Sequence, residues 1–330
     1  MEMLKIKMAK RMENSLKTVI SHVVLGLCTF KRPIIFEKCL QNISSLKLPQ
    51  NIQVELLIID NDSNASAKQL VDSFRNKINM HIHYFVEEKR GLSNARNRLL
   101  TEAITLGASH IAMFDDDILL PENWLVNYVD YYNKNPEAVI ITAASYSKFL
   151  KKPPKYIEKN DLFKCSTTKK TGSIRTTAAS GNVFFPVTLI NNLGLKFNSE
   201  YVFMGGEDGR FFETASRKGA TIIWCNDCYN YELNGNDKIT VSWILKRSFY
   251  NGYSAAQNKI KQTKNPAFKY IYSAKLFLSF TLNCLFTPFS IVLGKTVFIN
   301  MLGYTAKALG RLNGALKTKP LNYYENVYGE

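Results

Sequence analysis

Between Val23 and Asn133 short apolar runs alternate with longer helical patterns, and the runs stop at polar or acidic residues. Val23–Cys28 predicts a strand, and Pro33–Leu46 a helix opened by a proline, whose missing N–H is no loss in a first turn. Val54–Asp60 predicts a second strand, followed by the polar turn Asn61–Asn64 and a helix through Phe74. His81–Val86 is the third, and Leu92–Leu106 a helix ended by Gly107. Ile111–Phe114 is the fourth, with Pro121–Asn133 helical again. Repeated β-α units of this length predict an α/β fold: a doubly wound, mostly parallel sheet flanked by helices, with ligands at the carboxyl ends of its strands. Thr29, Asp60, Asp62 and Asp115–Asp117 all fall at such ends. Further on, Ser180–Pro186 and Thr221–Trp224 have strand character. Phe203–Gly219 is a helical pattern that opens with Gly205-Gly206-Glu207-Asp208. Lys148–Ser173, basic and proline-containing, predicts a loop or flap.

The triplet Asp115-Asp116-Asp117 closes the apolar run His110–Phe114. Alternation along an extended backbone predicts Asp115 and Asp117 on one side and Asp116 on the other. Carboxylates crowded at a strand exit repel one another unless a cation sits beside them, and all-oxygen donors suit Mg2+ or Mn2+ holding a diphosphate. The expectation is an enzyme that handles a nucleotide-activated donor; the plain alternative is an acidic turn before Pro121.

Three more groups converge if the sheet is built this way. Thr29-Phe30-Lys31-Arg32-Pro33 offers backbone amides and Arg32 to a base or phosphate. Asp60-Asn61-Asp62-Ser63 offers carboxylates to a pyrimidine N–H or a ribose hydroxyl, although such residues also form ordinary turns. Gly91-Leu-Ser-Asn-Ala-Arg-Asn97-Arg98 opens a helix that Ser93 could cap, and a free helix start attracts phosphate. Glu207-Asp208 is either a reactive pair beside flexible glycines or a dipole-favoured helix start. His81 and His83 share a strand face with no acidic partner at metal spacing, so packing is expected of them. Trp124, Trp224 and Trp243 are likewise expected in the core.

With 330 residues, 46% of them hydrophobic, the chain can bury a full core. Its net charge of +16 is uneven: Lys238 to Tyr324 holds thirteen Lys and Arg and no Asp or Glu. Charge alone would admit nucleic acid. The nineteen uncharged residues Leu276–Gly294, flanked by Lys275 and Lys295, favour an anionic membrane surface instead and set nucleic acid aside. Pro288, Asn283 and several hydroxyl residues argue against a bilayer span and for a kinked helix pair in the interface, with a buried helical hairpin as the alternative. Met1–Lys17 is basic and polar and lacks an apolar signal core. The six cysteines then predict free thiols in a reducing cytoplasm. Cys225-Asn-Asp-Cys228 has no second pair to complete a zinc site.

The ordered segments Thr29-Phe-Lys-Arg-Pro33, Ile59-Asp-Asn-Asp-Ser63, Arg90-Gly-Leu-Ser-Asn-Ala-Arg-Asn97, Phe114-Asp-Asp-Asp117 and Gly206-Glu-Asp208 together resemble glycosyltransferase family 2. Within it they resemble the bacterial exopolysaccharide and lipopolysaccharide branch that includes succinoglycan-type glucosyltransferases. The resemblance runs from about Val23 to Gly252. It implies a GT-A domain over residues 21–252, between a basic leader over 1–20 and a basic, apolar helical extension over 253–330 that associates with a membrane. It also implies a nucleotide-sugar donor, taken as UDP-linked, a divalent metal (Mn2+ or Mg2+) and inversion at the anomeric carbon. Asp115 and Asp117 would form the D-x-D metal pair, with Asp116 also at the donor, and Asp208 would be the catalytic base. Asp60 and Asp62 would meet the nucleoside, with Thr29, Arg32, Arg96 and Asn97 nearby. The strand at Gly181-Asn182 would flank the sugar, Glu207 would belong to the nucleotide-sugar site, and Arg247 would meet the diphosphate within a trailing pattern of Glu232, Trp243 and Gly252. Where some relatives carry a metal-binding His this chain has Glu232, so the last metal ligand is left open.

These features predict an inverting, membrane-associated glycosyltransferase on the cytoplasmic face of the inner membrane. It would act on a saccharide or lipid-linked acceptor in cell-surface polysaccharide or lipopolysaccharide synthesis. A metal-dependent nucleotidyltransferase would usually show a Gly-rich phosphate loop near the N-terminus, which Leu25-Gly-Leu-Cys-Thr29 is not. A non-enzymatic basic membrane or nucleic-acid binder is the remaining alternative.

Overall fold

The structure, a computed structural model, describes residues 18–135, 139–165, 169–198, 206–261, 263 and 266–316. Residues 1–17 of the basic leader, Gly205 and the last fourteen residues lie outside them. The chain divides into two compact units: Met1–Lys148, Cys165–Val202 and Glu207–Leu233 form the first, and Phe149–Lys164, Phe203–Gly206 and Asn234–Glu330 the second.

The first unit opens with β1 (His22–Thr29), α1 (Pro33–Ile43), β2 (Gln53–Asp60), α2 (Lys68–Phe74), β3 (His81–Val86), α3 (Leu92–Thr105) and β4 (His110–Phe114). Next come β5 (Ile118–Leu119), α4 (Trp124–Lys134), β6 (Ile140–Thr142), β7 (Ser145–Phe149), β8 (Ile174–Arg175) and β9 (Asn182–Pro186). It closes with α5 (Thr188–Leu193), α6 (Glu207–Arg217), β10 (Ile222–Trp224) and β11 (Asn230–Asn234). Eight strands make one sheet in the order β3-β2-β1-β4-β9-β6-β10-β8, and β5-β11-β7 make a second, small sheet. β1 runs parallel to β2 and β4, β2 to β3, and β6 to β10, while β9 enters antiparallel between β4 and β6. The strand order reverses at β1 and β4, and the carboxyl ends flanking such a reversal are where a doubly wound sheet opens a crevice.

The pleat sends alternate residues of β1 to two cores. Val23, Leu25 and Leu27 join Phe36 and Leu40 of α1 and Trp124 and Tyr128 of α4. Val24 faces the other side with Ile111, Leu99, Ala103 and Phe212. Gly26 also faces that side: a Cβ there would lie 2.8 Å from Leu99 Cδ2, so the missing side chain lets α3 sit close on the sheet. Gly107, at φ +74°, ends α3 in the left-handed conformation expected of a helix terminus.

Several expectations shift. α4 begins at Trp124 rather than Pro121, because Ile118–Leu119 is drawn out to pair with β11 before the helix can start. Lys148–Ser173 is not a plain loop: it holds the end of β7, a helical turn at Lys155–Glu158 and a 3-10 turn at Asp161–Phe163. His81 and His83 have an acidic neighbour after all. Glu55 of the adjacent strand meets His22 Nε2 at 2.9 Å and His83 Nε2 at 3.3 Å. Cys225 and Cys228 are buried free thiols whose Sγ atoms are 3.2 Å apart.

In the second unit α7 (Val241–Lys261), α8 (Pro266–Phe286) and α9 (Lys295–Leu316) follow in turn, with a 3-10 turn at Pro288–Leu293 before the last. The boundary expected after Gly252 falls inside α7. Trp243 stacks on Phe163 at 5.7 Å. The span Leu276–Gly294 is the end of α8 plus the 3-10 turn, broken at Pro288. Among the described residues no helix is long and apolar enough to cross a membrane. Yet Tyr270, Ile271, Phe277, Leu278, Leu282, Leu285 and Phe286 of α8 are exposed, as are Phe289 and Ile291–Leu293 beyond it.

α7 and α9 touch backbone to backbone. A Cβ on Gly310 would fall 1.9 Å from the Phe249 carbonyl oxygen, and one on Gly252 2.1 Å from that of Lys307. Alanine in a helix is ordinarily favoured over glycine by about 1 kcal/mol. Gly310→Ala and Gly252→Ala should nevertheless destabilise by about 1–3 kcal/mol, because the helices must part. Gly303→Ala, whose methyl would meet only side chains, Ser248 Oγ at 3.4 Å and Ile244 Cγ2 at 3.8 Å, should hold or raise the midpoint. Thermal unfolding followed by circular dichroism separates the three.

Candidate active site

The turn after β1 holds the acidic triplet. Thr29 Oγ1 donates to Asp116 Oδ2 at 2.8 Å. Arg32 donates through Nη1 to Asp116 Oδ1 at 2.6 Å and through Nη2 to Asp117 Oδ2 at 2.7 Å. The expected strand alternation of the triplet does not hold: the extended chain ends at Phe114, and Ile118 N closes a turn on the Asp115 carbonyl. Asp116 and Asp117 therefore share one guanidinium, while Asp115 pairs elsewhere. Burial pushes the Asp116 carboxyl up to about 6 against the pull of Arg32, with Asp117 adding repulsion. Leu25–Thr29 lies wholly within β1, so no phosphate loop forms there.

At the end of β2 the two carboxylates take different positions. Asp60 Oδ1 accepts from the amide of Asp62, and its Oδ2 accepts from the Ala67 amide and the Tyr84 hydroxyl. It is occupied in folding the turn. Asp62 accepts from the Asn64 amide through Oδ1, but its buried Oδ2 has no hydrogen-bond partner among the described residues. Asn61 ties this turn to the approach of α3, donating to the carbonyls of Glu87 and Lys89 and accepting from Gly91 N at 2.6 Å.

α3 begins after Gly91, at φ +130°, and has no side-chain cap. Ser93, expected as that cap, lies two residues past the cap position Gly91, and its buried hydroxyl has no partner among the described residues. One turn on, Arg96 is 4% exposed and divides its guanidinium between two carboxylates. Nη1 donates to Glu207 Oε1, and Nη2 donates to Asp115 Oδ1 at 3.0 Å. Burial raises the Glu207 carboxyl, Arg96 opposes this, and Asp208 reinforces it. Asp115 is raised by desolvation, with Asp117 and Asp208 adding repulsion. Asp208 accepts from Gly209 N at 2.7 Å and from Ser180 N at 3.4 Å. Arg96 thus joins the exit of β4 to the start of α6.

Thr29, Arg32, Asp115–Asp117, Arg96, Glu207 and Asp208 are brought together in the first unit. Asn97 turns aside and clasps Phe197, donating to its carbonyl and accepting from its amide, both at 2.8 Å. Asn182 Oδ1 accepts from Trp124 Nε1 and Tyr128 Oη, and its Nδ2 donates to the carbonyls of Ala144 and Cys228. Glu232 lies on β11 opposite Ile118. Arg247 lies on α7 of the second unit. Sequence reasoning passed over Tyr84, which no spacing marks, and the reason for Gly181, where a Cβ would stand 2.9 Å from Asp115 Oδ2.

Asp115 and Asp117 offer hard oxygens to a divalent cation. Among the described residues no three acidic, His or Cys side chains form a ready metal cage.

Arg96→Ala would leave two crowded carboxylates without their counter-ion. It should cost about 3–5 kcal/mol, the usual result of breaking a buried pair from one side. Arg96→Lys should recover only part, because an ammonium cannot fork to both acids. Urea unfolding measures both.

The model of the family described as glycosyl transferase family 2 matches residues 25–188, which hold β1 to β4 and the triplet. Among curated proteins the chain is 25% identical over 233 residues to the succinoglycan biosynthesis protein ExoM of Rhizobium meliloti, covering 70% of this chain and 73% of that protein. It is 21% identical to the glucosyl-dolichyl phosphate glucuronosyltransferase of Haloferax volcanii, covering 70% and 75%. Among solved structures it shares its fold with the mannosyltransferase PcManGT of Pyrobaculum calidifontis in complex with GDP-Man and Mn2+. That match has a TM-score of 0.60 at 16% identity over 94% of each chain. Sheet order, strand-end carboxylates and these likenesses agree: the chain carries a glycosyltransferase family 2 domain of GT-A-like fold and is a glycosyltransferase.

Proposed function

We propose that this enzyme inverts the anomeric centre of a sugar as it moves it from a nucleotide-sugar donor to a saccharide or lipid-linked acceptor, in cell-surface polysaccharide or lipopolysaccharide assembly. The observation that carries this reading is the Arg96 guanidinium bonded at once to Asp115 and Glu207, next to Asp208. An acidic group for the leaving diphosphate and a carboxylate base for the acceptor are then within one buried network.

Asp208 takes the proton of the acceptor hydroxyl as that oxygen bonds to the anomeric carbon. The bond from this carbon to the diphosphate breaks on the opposite face, through an oxocarbenium-like state, and the nucleoside diphosphate departs. Glu207, neutralised by Arg96, holds the start of α6 and with it the base. Mn2+ or Mg2+ on Asp115 and Asp117 would supply the positive charge that stabilises the departing diphosphate. Asp62 Oδ2, buried and unpaired, suits a pyrimidine N–H or a ribose hydroxyl, which makes a UDP-linked donor the first to test. The ExoM likeness supports a polysaccharide product, and the GDP-Man and UDP-GlcNAc complexes of PcManGT and Staphylococcus aureus TarS support a nucleotide-sugar donor.

Asp208→Asn should abolish transfer while leaving nucleotide binding intact; loss of both would sink the base role. Asp117→Ala should weaken donor binding only when Mn2+ is present, as read by calorimetry with and without the ion.

The exposed apolar stripe of α8 and its 3-10 turn, in a segment with no acidic residue between Lys238 and Tyr324, fits the anionic cytoplasmic face of the inner membrane. Phe277→Ser with Leu285→Ser should reduce co-sedimentation with phosphatidylglycerol vesicles several-fold, and raised salt should weaken the wild-type attachment. Unchanged sedimentation would exclude this face as the anchor.

A further inference from the structure

The small sheet carries an aromatic cluster that the transfer chemistry does not use. Tyr146 on β7 lies 5.6 Å from Tyr229 and 6.3 Å from Tyr231, ring centre to ring centre, and Tyr229 and Tyr231 are 5.6 Å apart. Lys148 Nζ sits 3.7 Å from the centre of the Tyr231 ring and braces it by a cation–π contact. Residues two apart on a strand share a face, so Tyr146 and Lys148 of one strand meet Tyr229 and Tyr231 of the next on one side. All three rings are half-buried. The opposite face is committed elsewhere: Asn230 is fully buried and donates to the Gly181 carbonyl.

This ribbon is continuous with the acidic site. Leu233 N donates to the Asp117 carbonyl at 2.7 Å, and Tyr231 opposes Leu119. In that register Tyr231 takes the side of the ribbon on which Leu119 falls, and Tyr229 and Leu233, each two residues away, take the same side. Tyr231 is two residues along the strand from Leu233, about 7 Å at the rise of an extended chain. A backbone spacing of that size between Tyr231 and the residue bonded to Asp117 is one that a short oligosaccharide can span.

We propose that Tyr146, Tyr229 and Tyr231 form the platform on which the acceptor saccharide lies, an inference that rests on the transferase reading above. The apolar C–H face of a pyranose stacks on an aromatic ring, and phenol hydroxyls meet its hydroxyls at the rim. Rigid tyrosines do this at little cost in side-chain freedom. An acidic triplet alone would hold the donor and leave the acceptor unplaced; the tyrosine face supplies the second surface.

The test uses the full chain and soluble probes without lipid tails: cellotetraose, maltotetraose and laminaritetraose, with tyrosine-ring resonances followed by NMR. At least one probe should shift the Tyr231 ring. Tyr231→Ala and Tyr146→Ala should each weaken that binding roughly tenfold, whereas Tyr231→Phe, which keeps the ring face, should stay within about twofold. Circular dichroism checks that the variants fold. No ring shift with any probe, or binding unchanged in both alanine variants, overturns the platform. Hydrolysis of UDP-sugars and GDP-sugars by the wild type with Mn2+, run in parallel, distinguishes the failures. Its absence counts against the transferase reading, and its presence without ring shifts counts against the platform alone.

Discussion

A guanidinium removed from water must be neutralised where it stands, and Arg96 is neutralised by carboxylates from two distant parts of the chain. Asp115 follows β4 and Glu207 opens α6, so α3, the sheet and α6 are locked in one relative position by a single side chain. Arg32 does the same for the remaining two aspartates of the triplet. Two guanidiniums stand against five carboxylates when Asp208 is included. The network is fixed in shape and short of positive charge.

Much of the large sheet was legible because a parallel strand buried on both faces is a short apolar run that must stop at something polar. His81–Val86 has the bounds expected of it, and β1, β2 and β4 differ by a residue or so at an end. What the sequence did not reveal was pairing. β5, β6 and β8 have two or three residues each, too few for a periodicity to exist. The antiparallel entry of β9 leaves no mark in Asn182–Pro186, since an apolar run has no direction. The Glu55 partner of His22 and His83 is supplied by cross-strand register, which spacing along one strand cannot express.

At the site the residue types were legible and their allegiances were not. Carboxylates at strand ends announce a polar crevice. Which carboxylate is consumed by the fold depends on backbone amides that a sequence does not display. Asp60 spends its lone pairs on Asp62, Ala67 and Tyr84, whereas Asp62 keeps one oxygen unspoken for. Asn97 and Asn182, polar residues inside suggestive motifs, hold backbone and ring groups of their neighbours. In the second unit the glycines of α7 and α9 report a backbone contact. The outer residues of α8 are apolar and exposed among the described residues, and they take no part in that contact.

Gly26 lies in mid-strand, away from every carboxylate, yet its bare α-carbon governs how deeply α3 beds onto β1 through Leu99. Arg96 is one turn earlier on that helix. A methyl group added at position 26 would overlap the tip of Leu99; where that side chain has no room to turn aside, α3 must lift and carry Arg96 with it. Damage to the chemistry could therefore be inherited from a residue that touches neither sugar nor nucleotide. Such a change would masquerade as a loss of the active site while every acidic residue in it stayed in place.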